Sequence, residues 1–175
     1  MREALDRNRL KAFLKDLALS AREPTRLYLT GGASMLLRGL RDSTVDIDMT
    51  LDPERDETLR SMVELKERLN LNVELVSPAH FVPALPGWRD RCEFADQYGP
   101  LAVHHFDPYT QALSKLERGH QRDQRDVAAL VAAGLVDPRK LQALFQDVEG
   151  ELFRYPAIEP SSLRRAVEQL AEPAD

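Results

Sequence analysis

The sequence predicts an α/β fold of the α+β kind, a small mixed sheet with flanking helices followed by a helical C-terminal part. Three patterns carry that prediction. Residues Val45 to Leu51 alternate Val, Ile, Met and Leu with Asp46, Asp48 and Thr50, the period-two signature of a strand with one polar face. Leu27-Tyr28-Leu29 runs into Thr30-Gly31-Gly32 and then a helical stretch, which reads as strand, glycine turn, helix. After Pro108 the apolar residues recur at helical spacing almost to the end of the chain.

The elements follow in order. Leu5, Leu10, Phe13, Leu14 and Leu17 recur at helical spacing between Glu3 and Ser20, a first amphipathic helix, and Pro24 follows its end. Ala33 to Leu40 reads as the helix after the glycine turn. A third helix from Glu54 to Leu69 leads into a strand over Asn72 to Val76, where alternation points Glu74 away from Val73 and Leu75. From Ser77 to Pro100 prolines and Trp88 interrupt any long pattern, which predicts an irregular region packed by Phe81, Leu85 and Trp88. Leu101 to Phe106 reads as a further strand. Helices are then expected at Tyr109–Arg118, Asp123–Ala133, Pro138 to about Glu149, and Ser162 to about Ala171. The expected division is a core with its N-terminal helix over 1–107 and a helical part over 108–175.

Composition excludes several classes. At 175 residues, 43% hydrophobic and 30% charged, the chain has the balance of a soluble globular protein, and no window approaches the roughly 18 apolar residues of a membrane span. The N-terminal stretch MREALDRNRLKAFLKDL breaks its apolar residues with charges, so it has no secretory h-region, and a cytoplasmic location without membrane contact is expected. The single cysteine, Cys92, excludes an internal disulfide and a cysteine-based zinc site. A net charge of −5 argues against a surface that clamps nucleic acid everywhere. Residues 1–41 nevertheless hold nine basic and four acidic side chains, so Arg7, Arg9, Lys11 and Lys15 form a candidate phosphate footprint. Arginine supplies 19 of the 24 basic residues, which suits phosphate contacts and is equally what a GC-rich genome encodes.

Chemistry concentrates in Gly31-Gly32, thirteen intervening residues, and Asp46-Ile47-Asp48. Glycines between a strand and a helix let backbone N–H groups approach a polyphosphate closely, and the helix N-terminus adds a favourable field, with Thr30 and Ser34 as candidate hydroxyl contacts. Two carboxylates at i and i+2 of a strand lie roughly 7 Å apart at their Cα atoms on one face, able to hold a pair of hard divalent ions. Glu74 is the candidate third carboxylate. No Gly-Lys-Ser or Gly-Lys-Thr follows Gly32, which excludes a P-loop NTPase. His80, His104, His105 and His120 lack metal-ligand spacing, and adjacent histidines on a strand face opposite ways. Trp88, Phe81 and Phe94 either stack on a base or anchor their loop to the core.

The string LYLTGGASMLLRGLRDSTVDIDMTL resembles the signature of the DNA polymerase beta-type nucleotidyltransferase superfamily, in which Gly-Gly or Gly-Ser precedes Asp-x-Asp or Asp-x-Glu. With Arg41 and Thr44 shortly before the aspartates, it is similar to the small AbiEii-like nucleotidyltransferases of the toxin–antitoxin group. The segment QALSKLERGHQRDQRDVAALV is similar to the later motifs of that group, and with Pro78-Ala79-His80-Phe81-Val82-Pro83 the likeness runs from Leu27 to about Pro160. The resemblance implies Mg²⁺-dependent transfer of a nucleoside monophosphate from an NTP to an acceptor hydroxyl, with Mn²⁺ as the alternative ion in a two-ion site. It implies that Gly31, Gly32, Ser34, Arg41 and Thr44 contact the nucleotide and that Asp46, Asp48 and Glu74 hold metal. Asp46 and Asp48 are the catalytic pair, Lys115 binds the phosphates, and Asp123 or Asp126 positions Lys115 or helps activate the acceptor. The site then lies between the core and the helical part. The implied acceptors are a tRNA 3′ end or a protein hydroxyl, with a cognate toxin or antitoxin as partner. Read without the resemblance, Lys115 is a snorkelling surface lysine and Asp123 a helix N-cap after the Gly119 break. The alternative function is a catalytically silent nucleotide- or partner-binding module of the same fold.

Overall fold

The computed structural model describes residues 4–173. It divides into two compact units, Met1–Ser77 with Cys92–Phe106, and Pro78–Arg91 with Asp107–Asp175.

In the first unit, α1 (Arg7–Ala18) buries Leu10, Phe13, Leu14 and Leu17, as its spacing requires. Asp6 is its N-cap, with an extended backbone and a side chain accepting from Arg9 N at 2.8 Å. That cap excludes Leu5 from the helix, contrary to the apolar pattern; Leu5 instead pairs with Thr44 through Leu5 N to Thr44 O at 2.7 Å and Thr44 N to Leu5 O at 3.0 Å. The expected start at Glu3 lies outside the described residues. Strand β1 (Thr25–Thr30) passes directly into α2 (Gly31–Arg38), so both glycines belong to the first turn of the helix rather than preceding it. Gly39 ends α2 in the left-handed conformation, at φ 78°, and leaves Leu40 outside.

Strand β2 (Asp46–Asp52), α3 (Asp56–Arg68) and β3 (Asn72–Leu75) follow close to the expected bounds. The expected irregular stretch before Pro100 holds a strand, β4 (Glu93–Tyr98), which forms a hairpin with β5 (Leu101–His105). A β-bulge between Phe94 and Asp96 breaks the period-two pattern there, which hides the strand from a reading of alternation. The sheet order is β3-β2-β1-β5-β4, with β1–β5 and β2–β3 parallel and β1–β2 and β4–β5 antiparallel. One face of the sheet presents Leu27, Leu29, Ile47, Met49, Val73 and Val103 to the core, which α1, α2 and α3 complete with Leu10, Phe13, Leu36 and Leu65.

Two arginines of the basic N-terminal stretch are used inside this unit. Arg7 Nη2 donates to Leu37 O at 3.0 Å, at the C-terminus of α2, and Arg9 Nη2 donates to Leu69 O at 3.2 Å, just past α3. Both satisfy carbonyls that a helix end leaves without an internal partner. Lys11 and Lys15 are exposed.

The second unit contains 3₁₀ turns at Pro78–His80 and Trp88–Arg91, then α4 (Pro108–Arg118), α5 (Gln121–Ala132), α6 (Pro138–Val148) and α7 (Pro160–Ala171). Leu85 is fully buried in it, whereas Phe81, expected to pack the loop, is 50% exposed and Trp88 half-buried. Asp107 caps α4 from a completely buried position, accepting from Tyr109 N, Thr110 N and Thr110 Oγ1 and gripped by Arg91 at 2.9 and 2.8 Å. Glu159 caps α7, its carboxyl held down to about 2 by hydrogen bonds from Ser162 and Ser161. Among the described residues no helix is long and apolar enough to cross a membrane.

Candidate active site

The glycine turn and the aspartate strand meet through register. Thr30, the last residue of β1, pairs with Asp48, so the turn that follows it leaves the sheet beside the aspartates. Gly31 has φ +56°, a conformation side chains rarely adopt, and a Cβ added there would stand 2.7 Å from Asp48 Oδ2. A Cβ at Gly32 would stand 2.2 Å from Thr44 Oγ1 and 2.7 Å from Arg41 Nη1. Both glycines are therefore required by close approach, and the groups that approach are three of those the motif singles out. Thr30 makes no side-chain capping bond to the first turn of α2. The Leu5–Thr44 bridge ties down the segment that carries Thr44, and Thr44 Oγ1 donates to Asp46 O at 3.3 Å.

Asp46 and Asp48 are both half-buried and share the sheet face opposite the core. The parallel partner strand sets Asn72 beside Asp46 and Glu74 beside Asp48. Asn72 Nδ2 donates to Asp46 Oδ1 at 2.6 Å and to Glu74 Oε1 at 3.3 Å, so an amide bridges the two carboxylates and fixes Asp46. Asn72 is missing from the sequence-based set of site residues, although its place two residues before Glu74 on one strand face was a usable signal. Among the described residues no group of three acidic, histidine or cysteine side chains is placed to hold a metal ion. The carboxylates available are thus Asp46 and Asp48, with Glu74 exposed at one side.

Ser34, in the same first turn of α2, is turned inward. It is 1% exposed, and its hydroxyl hydrogen-bonds His105 Nδ1 at 2.9 Å inside the same unit. Burial, the neighbouring Arg38 charge and His104 push the His105 imidazole down to about 3, so it is neutral near pH 7. His104, its neighbour on β5, lies on the opposite face, as alternation requires.

In the helical unit the structure brings Lys115, Asp123 and Asp126 together. Lys115, on α4, is 4% exposed, and its ammonium donates to Asp126 Oδ2 at 2.5 Å and stands 3.5 Å from Asp123 Oδ1. Arg118 Nη2 donates to Asp123 Oδ1 at 2.6 Å. A surface lysine does not fit this burial. Nor is Asp123 the N-cap of α5: His120 holds that position, and Asp123 stands in the first turn. Gly119, at φ 65°, closes α4 and turns the chain so that α5 packs back with its two aspartates against Lys115.

No curated protein and no solved structure matches the chain. The family described as "Nucleotidyltransferase of unknown function (DUF6036)" matches residues 8–167, a span that holds the glycine turn, the carboxylate strands and the Lys115 cluster. The match covers most of the chain, which belongs to this nucleotidyltransferase family.

Proposed function

We propose that the protein transfers a nucleoside monophosphate from an NTP to an acceptor hydroxyl, as a small AbiEii-like nucleotidyltransferase. The observation that carries this reading is the seating of Gly31 and Gly32 against Asp48, Thr44 and Arg41, where an added Cβ would force those side chains to move. A triphosphate laid on this turn meets backbone N–H groups and the positive end of α2, with Arg41 and Thr44 at its edge. Asp46 and Asp48 would hold Mg²⁺ or Mn²⁺. Their donor chemistry fits, because Mg²⁺ is commonly bound by one or two carboxylates with substrate phosphates and water completing the shell. Bound there, a pair of ions supplies charge neutralisation at the phosphates and a more acidic acceptor hydroxyl. Asn72 keeps Asp46 oriented. Glu74 stays outside the metal set in this reading, since among the described residues no three carboxylates are placed to hold one ion.

In the transfer, the acceptor oxygen forms a bond to the α-phosphorus, the bond from that phosphorus to the bridging oxygen breaks, and pyrophosphate leaves with the electron pair. The acceptor proton passes to solvent or a neighbouring base. The resemblance assigns the phosphates to Lys115, and the 2.5 Å contact makes Asp126 the residue that positions it, with Asp123 shared between Lys115 and Arg118. The acceptor classes in this reading are a tRNA 3′ end and a protein hydroxyl of a cognate toxin or antitoxin. Growth on expression of the chain alone separates a toxin role, which arrests it, from an antitoxin role, which does not.

Pyrophosphate release measured with each NTP, Mg²⁺ and total cell RNA or protein tests the reaction. Asp46→Asn and Asp48→Asn should each lower it by at least about 10²-fold while melting within a few degrees of the native chain, because both side chains lie on the sheet face away from the core. Release that survives in either variant sinks the assignment.

A further inference from the structure

On the helical side of the first unit, α1 and α3 leave a groove of about 910 Å³ between them. Ser20 and Ser61, both small, form its floor with buried Leu65. Its walls are Leu19, just past α1, and Glu57, Glu64 and Glu67 of α3. The eleven steps from Glu57 to Arg68 rise about 16 Å, so the groove is as long as about three helical turns.

Charge in this groove does not balance. Arg68 stands four residues after Glu64, the spacing of an intrahelical ion pair, yet its guanidinium turns across to Asp16 of α1 at 2.7 Å. Arg60 reaches Asp56 at 3.8 Å. Both arginines of the groove are thus engaged, and Glu57, Glu64 and Glu67 have no ion pair among the described residues. Helix α3 gains nothing from the last two. Glu64 and Glu67 repel each other at i and i+3, and Glu67 stands in the last turn, where the helix field disfavours a carboxylate. Beside them Leu19 is 86% exposed, more than any other large apolar side chain among the described residues. The glutamates alone would be a solvated helix face. An uncovered apolar anchor within an uncompensated anionic rim is instead the composition of a docking surface.

We propose that this groove docks a basic amphipathic helix of a partner protein, with its apolar stripe on Leu19 and its lysines or arginines against the three glutamates. Charge complementarity selects a cationic occupant, and Leu19 selects one that carries apolar side chains rather than a bare polyamine. Spacing suits a helix. Glu57 and Glu64 are seven residues apart, a rise of about 10.5 Å, which equals the rise between cations at i and i+7 of a helix lying along α3. Ser20 and Ser61 leave room for the approach of about 8–10 Å between axes that helix packing requires. The helices of this unit complete the core on one side of the sheet, and Asp46 and Asp48 lie on the other. A partner seated in the groove therefore leaves the carboxylates open, so the surface recruits without blocking, and the proposal stands apart from nucleotidyl transfer.

Fluorescence anisotropy tests it with the full chain and a labelled, alanine-based peptide of about 15 residues, acetylated, with leucines at helical spacing flanked by lysines. The peptide is expected to bind, and less tightly as salt rises. Glu64→Lys plus Glu67→Lys should weaken binding at least about 10-fold, and Leu19→Asp at least about 5-fold. Both lysines would stand toward the C-terminal end of α3, where the helix field favours cations, and Leu19 is at the surface, so the variants fold, which equal melting curves check. Asp46→Asn plus Asp48→Asn should bind the peptide as native protein does. Absence of binding, native affinity in either groove variant, or binding lost only with the Asp46 and Asp48 substitutions overturns the proposal. A leucine-free peptide of the same charge that binds as tightly also overturns it, by reducing the contact to attraction between opposite net charges.

Discussion

Gly31 and Gly32 are fixed by what stands beside them. A methyl group at Gly31 meets Asp48 Oδ2 at 2.7 Å on a backbone already at φ +56°. Gly31→Ala should therefore cost about 1–3 kcal/mol by urea unfolding and, because Asp48 must move, lower turnover further than stability alone explains. His105 makes a second prediction at this scale. Burial, then Arg38, then His104 hold its imidazole at about 3 in the folded protein, below the ordinary value of 6.5. A lowered value means that the unfolded chain takes up the proton first. Stability is then full above pH 6.5 and is lost as pH falls from there toward 3, by up to about 1.4 kcal/mol per pH unit. Unfolding free energies between pH 7 and 5 should show that slope, and His105→Gln should flatten it; an equal slope in the variant contradicts the assignment. The shared face of Asp46 and Asp48 was legible because alternation along one strand decides it. The partners Asn72 for Asp46 and His105 for Ser34 were not, being set by pairings 26 and 71 residues apart.

The helical elements place Lys115 through α4 and α5 rather than through local sequence. Gly119 and the N-cap His120 reverse the chain so that Asp123 and Asp126, one turn apart, both face the buried ammonium. Lys115→Met leaves two buried carboxylates without that partner and should destabilise the protein by about 3–5 kcal/mol, the cost of breaking a buried ion pair. Urea unfolding and NTP binding measured on the same variant separate the roles. Loss of NTP affinity beyond the unfolded fraction supports the phosphate role, and unchanged affinity makes the lysine a pin between helices. Helix periods revealed α5 to α7 well because each buries one stripe, as Leu163 and Val167 do in α7, whereas α4 is buried on every side from Pro108 to Lys115. Strand β4 stayed hidden for the opposite reason. Its bulge puts Phe94 and Gln97 on one face with two residues between them, so no two-residue period runs along it.

Over the whole chain, charge is organised less by the N-terminal cluster than its composition suggests. Arg7 and Arg9 close helix ends, which takes two of the four candidate phosphate contacts on that helix into the fold and leaves Lys11 and Lys15 exposed. The first unit gathers Gly31, Gly32, Arg41, Thr44, Asp46 and Asp48 from a single stretch of 18 residues, which is why the candidate site was readable from sequence while its surroundings were not. Membership of a nucleotidyltransferase family makes the position of the bond that is broken the central question. The most direct measurement is label transfer from α-labelled and γ-labelled NTP, in parallel, to RNA and protein, with Asp46→Ala plus Asp48→Ala as control. The expected result is label on an acceptor from the α position alone and none with the control. Label from the γ position, or equal α label with the control, would contradict nucleotidyl transfer at this site.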